Sequence, residues 1–119
     1  MSSQNVQNLL MQMSKQLKTQ QDDLQNANIV YSDLKSRNRM IDLSIGEIDA
    51  SKKEHVWESC GKAFIKVDSK EYGTKLKHEK DSNVELMNDL NKKRHYLETS
   101  IGTTVDNMNK ILDKVGAAH

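Results

Sequence analysis

Apolar residues in the first part of the chain recur in two interleaved rows. One row reads Leu10, Leu17, Leu24, Tyr31, Asn38 and Ile45, the other Val6, Met13, Gln20, Ala27, Leu34, Ile41 and Ile48. Residues seven apart share one stripe of a helix, and two such rows form the a/d seam of a coiled coil. This spacing predicts a helix over 4–52, roughly 70 Å long at 1.5 Å rise per residue. A second heptad pattern fills the last part of the chain, with Leu76, Asn83, Leu90, Leu97, Thr104 and Ile111 on one row. Met87, Arg94, Ile101, Met108 and Val115 form its partner row, and Lys75–Asn83 is a weak, polar stretch of the pattern. Asp68 with Glu71 three residues later is a variant capping box, and Gly116 suits the position just past a helix end. The second helix is therefore expected over 68–116.

Residues 53–67 between the helices carry a different pattern. Glu54–Glu58 and Ala63–Val67 hold Val, Trp, Phe and Ile, which fit a pleated surface. Gly61 lies between them and can take the positive φ of a tight reversal. Folding this run about the Cys60–Gly61 bond sets Trp57 opposite Phe64 on one face and Val56 opposite Ile65 on the other, with Val67 following. Both faces of such a hairpin are apolar, and a lone two-stranded hairpin is marginal in water with both edges unpaired. It is expected to need strands from outside the chain.

Two heptad helices joined by a hairpin are expected to return on each other as an antiparallel pair. In that geometry the numbers of facing residues sum to a constant. The constant that pairs Tyr31 with Leu90 also pairs Leu24 with Leu97, Leu10 with Ile111 and Leu34 with Met87. It sets small Ala27 against bulky Arg94, and Asn38 against Asn83. A slip of one heptad would face Asn38 with Leu76. A polar pair within a seam specifies register at some cost in stability. The hairpin pairs above obey the same constant, so the whole chain is expected to fold in half about one bond.

Composition narrows the function classes. Among 119 residues 29% are charged, 4% are aromatic and none is proline, which suits long solvated helices more than a compact core. Lys and Arg total 18 against 17 acidic residues, so no strong field points to nucleic acid or an anionic membrane. No signal peptide and no membrane span is read. One cysteine and no Asn-x-Ser/Thr acceptor suit a reducing, intracellular compartment. His55, His78, His95 and His119 are scattered, and His78–Glu79 fails the zinc-binding H-E-x-x-H pattern at Ser82. Cys60 has no nearby partner, and Asp22–Asp23 sit on solvated helix. No catalytic residue, metal or cofactor is expected. The basic clusters Lys35/Arg37/Arg39, Lys52/Lys53, Lys75/Lys77/Lys80 and Lys92/Lys93/Arg94/His95 are mostly interspersed with acids, as a solvated face is.

The open end of the predicted coiled coil, farthest from the hairpin, is richer in apolar groups than a seam requires. Val6, Leu10, Met13, Met108, Ile111 and Val115 occupy the seam there, while Leu9, Met11, Val105 and Leu112 fall off it. Four of the six methionines, Met1, Met11, Met13 and Met108, lie at this end. Flexible thioethers adapt to irregular surfaces, so these ends are candidates for binding varied partners. Met40 and Leu43 also lie off the seam and are expected against neighbouring subunits.

An aromatic residue, a short gap and Gly-Lys-x-Phe between two heptad helices, here Trp57 and Gly61-Lys62-Ala63-Phe64, resembles the β-class of the prefoldin family. Trp57 stands where Tyr is commoner, and Cys60 where a small aliphatic is usual. The stretch Leu90–Ile101 is also similar to the family's second helix. The resemblance covers the whole chain, and the single hairpin marks the β-class, since α-class subunits carry two. It implies a heterohexamer whose hairpins build a double β-barrel, with coiled coils projecting from it. It further implies that the arm ends hold unfolded actin, tubulin and other clients for the cytosolic chaperonin, in the cytoplasm and without nucleotide. Two rival readings remain at this point. A nucleic-acid-binding helical arm predicts a basic stripe and steep salt dependence. A structural coiled-coil tether leaves the two-faced hairpin and the apolar arm ends without a purpose.

Overall fold

Four elements follow one another in the computed structural model, which describes residues 3–117: helix α1 (Ser3–Ser51), strands β1 (His55–Cys60) and β2 (Ala63–Asp68), and helix α2 (Ser69–Ala117). Met1 and His119 lie outside the described residues. The fold is the predicted one: mainly α, two long helices joined by an antiparallel hairpin. The chain divides into two compact units. One is Tyr31–Asp89, which holds the hairpin; the other combines Met1–Val30 with Leu90–His119.

In the hairpin unit the heptad rows supply the interior. Ile41 and Leu76 are buried, and Leu34, Ile45, Ile48 and Met87 are half-buried. The polar stretch of α2 turns out to be laced to α1. Arg37 donates from Nε and Nη2 to the two carboxylate oxygens of Glu79, both at 2.9 Å, a bidentate fork. Lys80, on the seam row itself, donates to Asp42 at 2.7 Å. A residue that breaks the apolar pattern is thus tolerated where a carboxylate on the other helix meets its charge.

The segments around the hairpin are closed by local bonds. α1 stops at Lys52, whose φ of 54° is the left-handed turn that ends many helices. Ser51 Oγ donates to the Ile48 carbonyl and accepts from the Lys53 amide. At the start of α2, Asp68 Oδ1 accepts from the amides of Lys70 (2.8 Å) and Glu71 (3.1 Å), which satisfies two donors that a helix start leaves free. Buried Ser69 ties both ends of the hairpin together, its amide donating to the Glu54 carbonyl and its hydroxyl to the Lys53 carbonyl. α2 continues through Gly116 to Ala117, so Gly116 is not the residue past the helix end; it keeps a helical φ, and Ala, the best helix former, follows.

The hairpin register differs from the expected one. The pairs are Cys60–Ala63, Ser59–Phe64, Glu58–Ile65, Trp57–Lys66, Val56–Val67 and His55–Asp68. Trp57 therefore faces Lys66 and not Phe64, Val56 faces Val67 and not Ile65, and the reversal is at Gly61–Lys62. The hairpin does not share the helices' facing constant. A turn at Cys60–Gly61 would ask Cys60 for the positive φ of the first central position. Moving it by one residue hands that position to Gly61, at φ 62°, with Lys62 on the ordinary side, the pattern of a type II′ turn. The strand pairing shifts by two residues, and side chains alternate with period two, so the faces survive. Trp57 and Phe64 still share one face, and Val56, Ile65 and Val67 the other.

In the terminal unit Ala27, Leu97 and Thr104 are buried. Leu17, Leu24, Leu90 and Ile101 are half-buried on the predicted rows. Thr104 Oγ1 lies 3.1 Å from Gln20 Oε1 and 3.0 Å from the Ser100 carbonyl, sharing its proton, so this polar pair of seam residues is satisfied.

Candidate functional site

Three groups of candidate residues can be placed. The first is the hairpin. Trp57 and Phe64 are 67% and 69% exposed on one face, an unusual state for two large aromatic side chains. Their diagonal arrangement on neighbouring strands sets the rings within reach of each other. The opposite face is partly used by the chain itself: Val56, Glu58 and Val67 are half-buried, while Ile65 stays half exposed. Glu58 on that face accepts from Lys75 of α2 at 2.6 Å, and this bond holds the Lys75 ammonium above the usual lysine value. The two faces are thus not equivalent, which the alternation of side chains alone could not show. The sheet has two strands, so each has one edge without a partner strand.

The second group is Asn38 and Asn83, both buried. Asn83 Nδ2 donates to Asn38 Oδ1 at 2.9 Å, and Asn38 Nδ2 lies 3.7 Å from the Met87 sulfur. One strong amide bond and one weak sulfur contact make a polar layer inside an apolar seam.

The third group lies in the terminal unit. Val6, Leu10, Met13, Met108 and Ile111 are half-buried seam residues. Met11 and Leu112 are 59% and 51% exposed, and Val105 and Val115 are more modestly so. Leu9, expected outside the seam, is half-buried. It flanks the seam row directly and is partly covered, so it offers less free surface than Met11. The heptad reading passed over Ile29, Val30 and Tyr96 of this unit, all exposed. They lie on no seam row, and the signal that would have found them is apolar identity at an outward heptad position. In the hairpin unit Met40, Leu43, Val84 and Leu86 are exposed in the same way.

Among the described residues no three of His, Cys, Asp and Glu gather as a metal site, and no helix is long and apolar enough to cross a membrane. Arg37, Lys75 and Lys80, members of the basic clusters, are each paired with a carboxylate.

The Arg37–Glu79 fork carries a pH signature. Its hydrogen bond holds the Glu79 carboxyl below the usual range against an opposing effect of burial, and raises the Arg37 guanidinium further. A depressed carboxyl stabilises the fold above its unfolded value, about pH 4.3, and loses that contribution as pH falls through the folded value. Both side chains are about half exposed, so the fork contributes only about 0.5 kcal/mol after screening. Glu79→Gln is expected to lower stability by that amount at neutral pH, with a deficit that shrinks toward pH 3 as the parent's carboxyl takes up its proton. Denaturant unfolding at the two pH values measures it; an equal deficit at both would assign the effect to packing.

No protein-family model matches the chain. Prefoldin subunit 1 of Saccharomyces cerevisiae is similar to it, with 30% identity over 90 residues, covering 76% of this chain and 81% of that protein.

Proposed function

The chain belongs to the prefoldin family, and from that premise we propose that it is a non-enzymatic holdase subunit whose terminal unit captures unfolded proteins. Its partners in assembly are other prefoldin subunits. The hairpin joins them by adding strands at its open edges and by covering the Trp57–Phe64 face, so that hairpins close into a β-barrel and a heterohexamer results. The terminal unit holds cytosolic clients, actin and tubulin among them, and passes them to the chaperonin without nucleotide.

The observation that supports capture is the exposure of Met11 and Leu112 outside the seam. Unfolded clients present apolar segments of no fixed shape, so their receptor has to be apolar, adaptable and weak. A single weak arm is enough when several on one complex raise the effective concentration of contact sites. Met11→Ser with Leu112→Ser is expected to leave assembly and thermal unfolding unchanged and to weaken suppression of aggregation of a denatured client. Full suppression by an intact complex carrying both changes would show that these side chains are not the capture surface.

A further inference from the structure

Between the last turn of α1, the first turns of α2 and the base of the hairpin, all within the unit Tyr31–Asp89, lies a cleft of about 800 Å³. That size falls within the ~300–1,000 Å³ typical of ligand sites. Its floor has an identifiable cause. Gly73 stands on the same heptad row as Lys80 and Met87, where a seam side chain would otherwise meet α1. Beyond its chain neighbours and the adjoining backbone of α2, a Cβ built at Gly73 would meet no atom within 4 Å. The missing side chain leaves the half-buried Ile45 and Ile48 lining open space.

The rim is charged. Lys52, Lys53, Lys70 and Lys77 line the cleft, and among the described residues none of the four is in an ion pair. The lining carboxylates are Asp49, Glu54 and Asp68. Asp68 is already engaged by the amides of Lys70 and Glu71. Four ammonium groups outside any ion pair therefore stand against three carboxylates, one of them held by backbone amides, around an apolar hole.

We propose that this cleft docks an acidic segment of a neighbouring subunit of the complex, its carboxylates on the lysine rim and one bulky apolar side chain in the space left by Gly73. The inference rests on the assembly reading above. Charge complementarity selects an acidic guest, and the Gly73 hole selects an apolar anchor within it. Lys53 and Glu54 precede β1 and Asp68 ends β2, the strands through which assembly is proposed, so a neighbouring subunit is the protein brought closest to this rim. A client of variable charge and shape has no need of so specific a combination.

The test places a photoreactive benzophenone side chain at Thr74, an exposed wall residue of the cleft, in the full chain assembled into its complex. Irradiation, native mass measurement and peptide sequencing of adducts follow. The expected adduct is with a neighbouring subunit, at a segment carrying two or more carboxylates beside a bulky apolar residue. Replacing Lys52, Lys53, Lys70 and Lys77 together by Gln is expected to lower its yield about tenfold, the loss of a few exposed ion pairs. Gly73→Leu fills the hole with a better helix former, so it is expected to abolish the adduct while the isolated chain melts at the same or a higher temperature. Loss of assembly by a Gly73→Leu chain that melts in this way also supports the cleft as a subunit contact. An intact complex that yields no adduct, yields one only with client, or yields one insensitive to Gly73→Leu overturns the proposal. Native mass reports separately whether assembly itself occurs, and aggregation assays report capture, so failure of docking is distinguishable from failure of the function proposed above.

Discussion

Phe64→Ala is expected to release the chain from its complex while leaving both helices formed. Phe64 is 69% exposed in the single chain, so truncating it removes little that the chain's own fold uses. In an assembled barrel the same ring, with Trp57 beside it, would be covered by strands of other subunits. Truncating a fully buried Phe costs about 3–5 kcal/mol. A loss of that size at a shared interface changes the dissociation constant by roughly two to four orders of magnitude. The helical circular dichroism of the isolated Phe64→Ala chain should match that of the parent. Its native mass when mixed with partner subunits should fall to that of free components. A hexamer of unchanged stability would mean that the aromatic face lies outside the contact. Trp57→Ala, two residues along the same face, should behave alike, whereas Glu58→Gln, on the face bonded to Lys75, should leave assembly largely in place.

The second large effect concerns the asparagine layer, where a single and a double change should differ in sign. Asn83→Leu removes the donor to Asn38 Oδ1 and leaves a buried amide with a weak sulfur contact. A stranded buried polar group of this kind costs about 1–3 kcal/mol. Changing both residues to Leu removes the polar pair altogether and extends the apolar seam, so the double variant should be more stable than the parent chain. Such non-additivity is the signature of two residues acting on each other. We propose that the layer's role is to specify register, and the double variant should show it as a loss. Spin labels at Ser36 and Glu85, both exposed, should give one narrow distance in the parent chain and a broadened distribution in the double variant. A double variant that is stabilised yet keeps the narrow distance would sink the register role.

Exposed apolar residues in the two units invite different readings. Met40 and Leu43 lie one turn apart in the unit that holds the hairpin, and we propose that they pack against neighbouring subunits. Ile29, Val30 and Tyr96 belong to the unit proposed to capture clients, and they enlarge its apolar surface beyond Met11 and Leu112. Methionine and tyrosine are suited to such a surface, since each presents large contact area at modest conformational cost.

The helices, the seam and the faces of the hairpin were legible in the residues alone, because each depends on a local period. Seven-residue recurrence marks which side of α1 and α2 is covered, wherever the partner helix comes from. Alternation assigns Trp57 and Phe64 to one face under any slip of an even number of residues. Asp68 caps α2 through amides two and three positions away, a bond that the order of residues already contains. The three-dimensional structure alone decided matters that turn on which distant groups meet. The reversal sits at Gly61–Lys62 because glycine takes the left-handed position more cheaply than Cys60 does, and that choice sets every pair in the ladder. Lys80 could stand in a seam because Asp42 is within reach across the helices, and Glu58 is held on its side of the hairpin by Lys75. Leu9 is half-covered and Met11 is not, although both are apolar and off the rows. The cleft beside Gly73 exists because two helices and a hairpin base converge around a side chain that is absent, and a linear pattern carries no measure of the space left over.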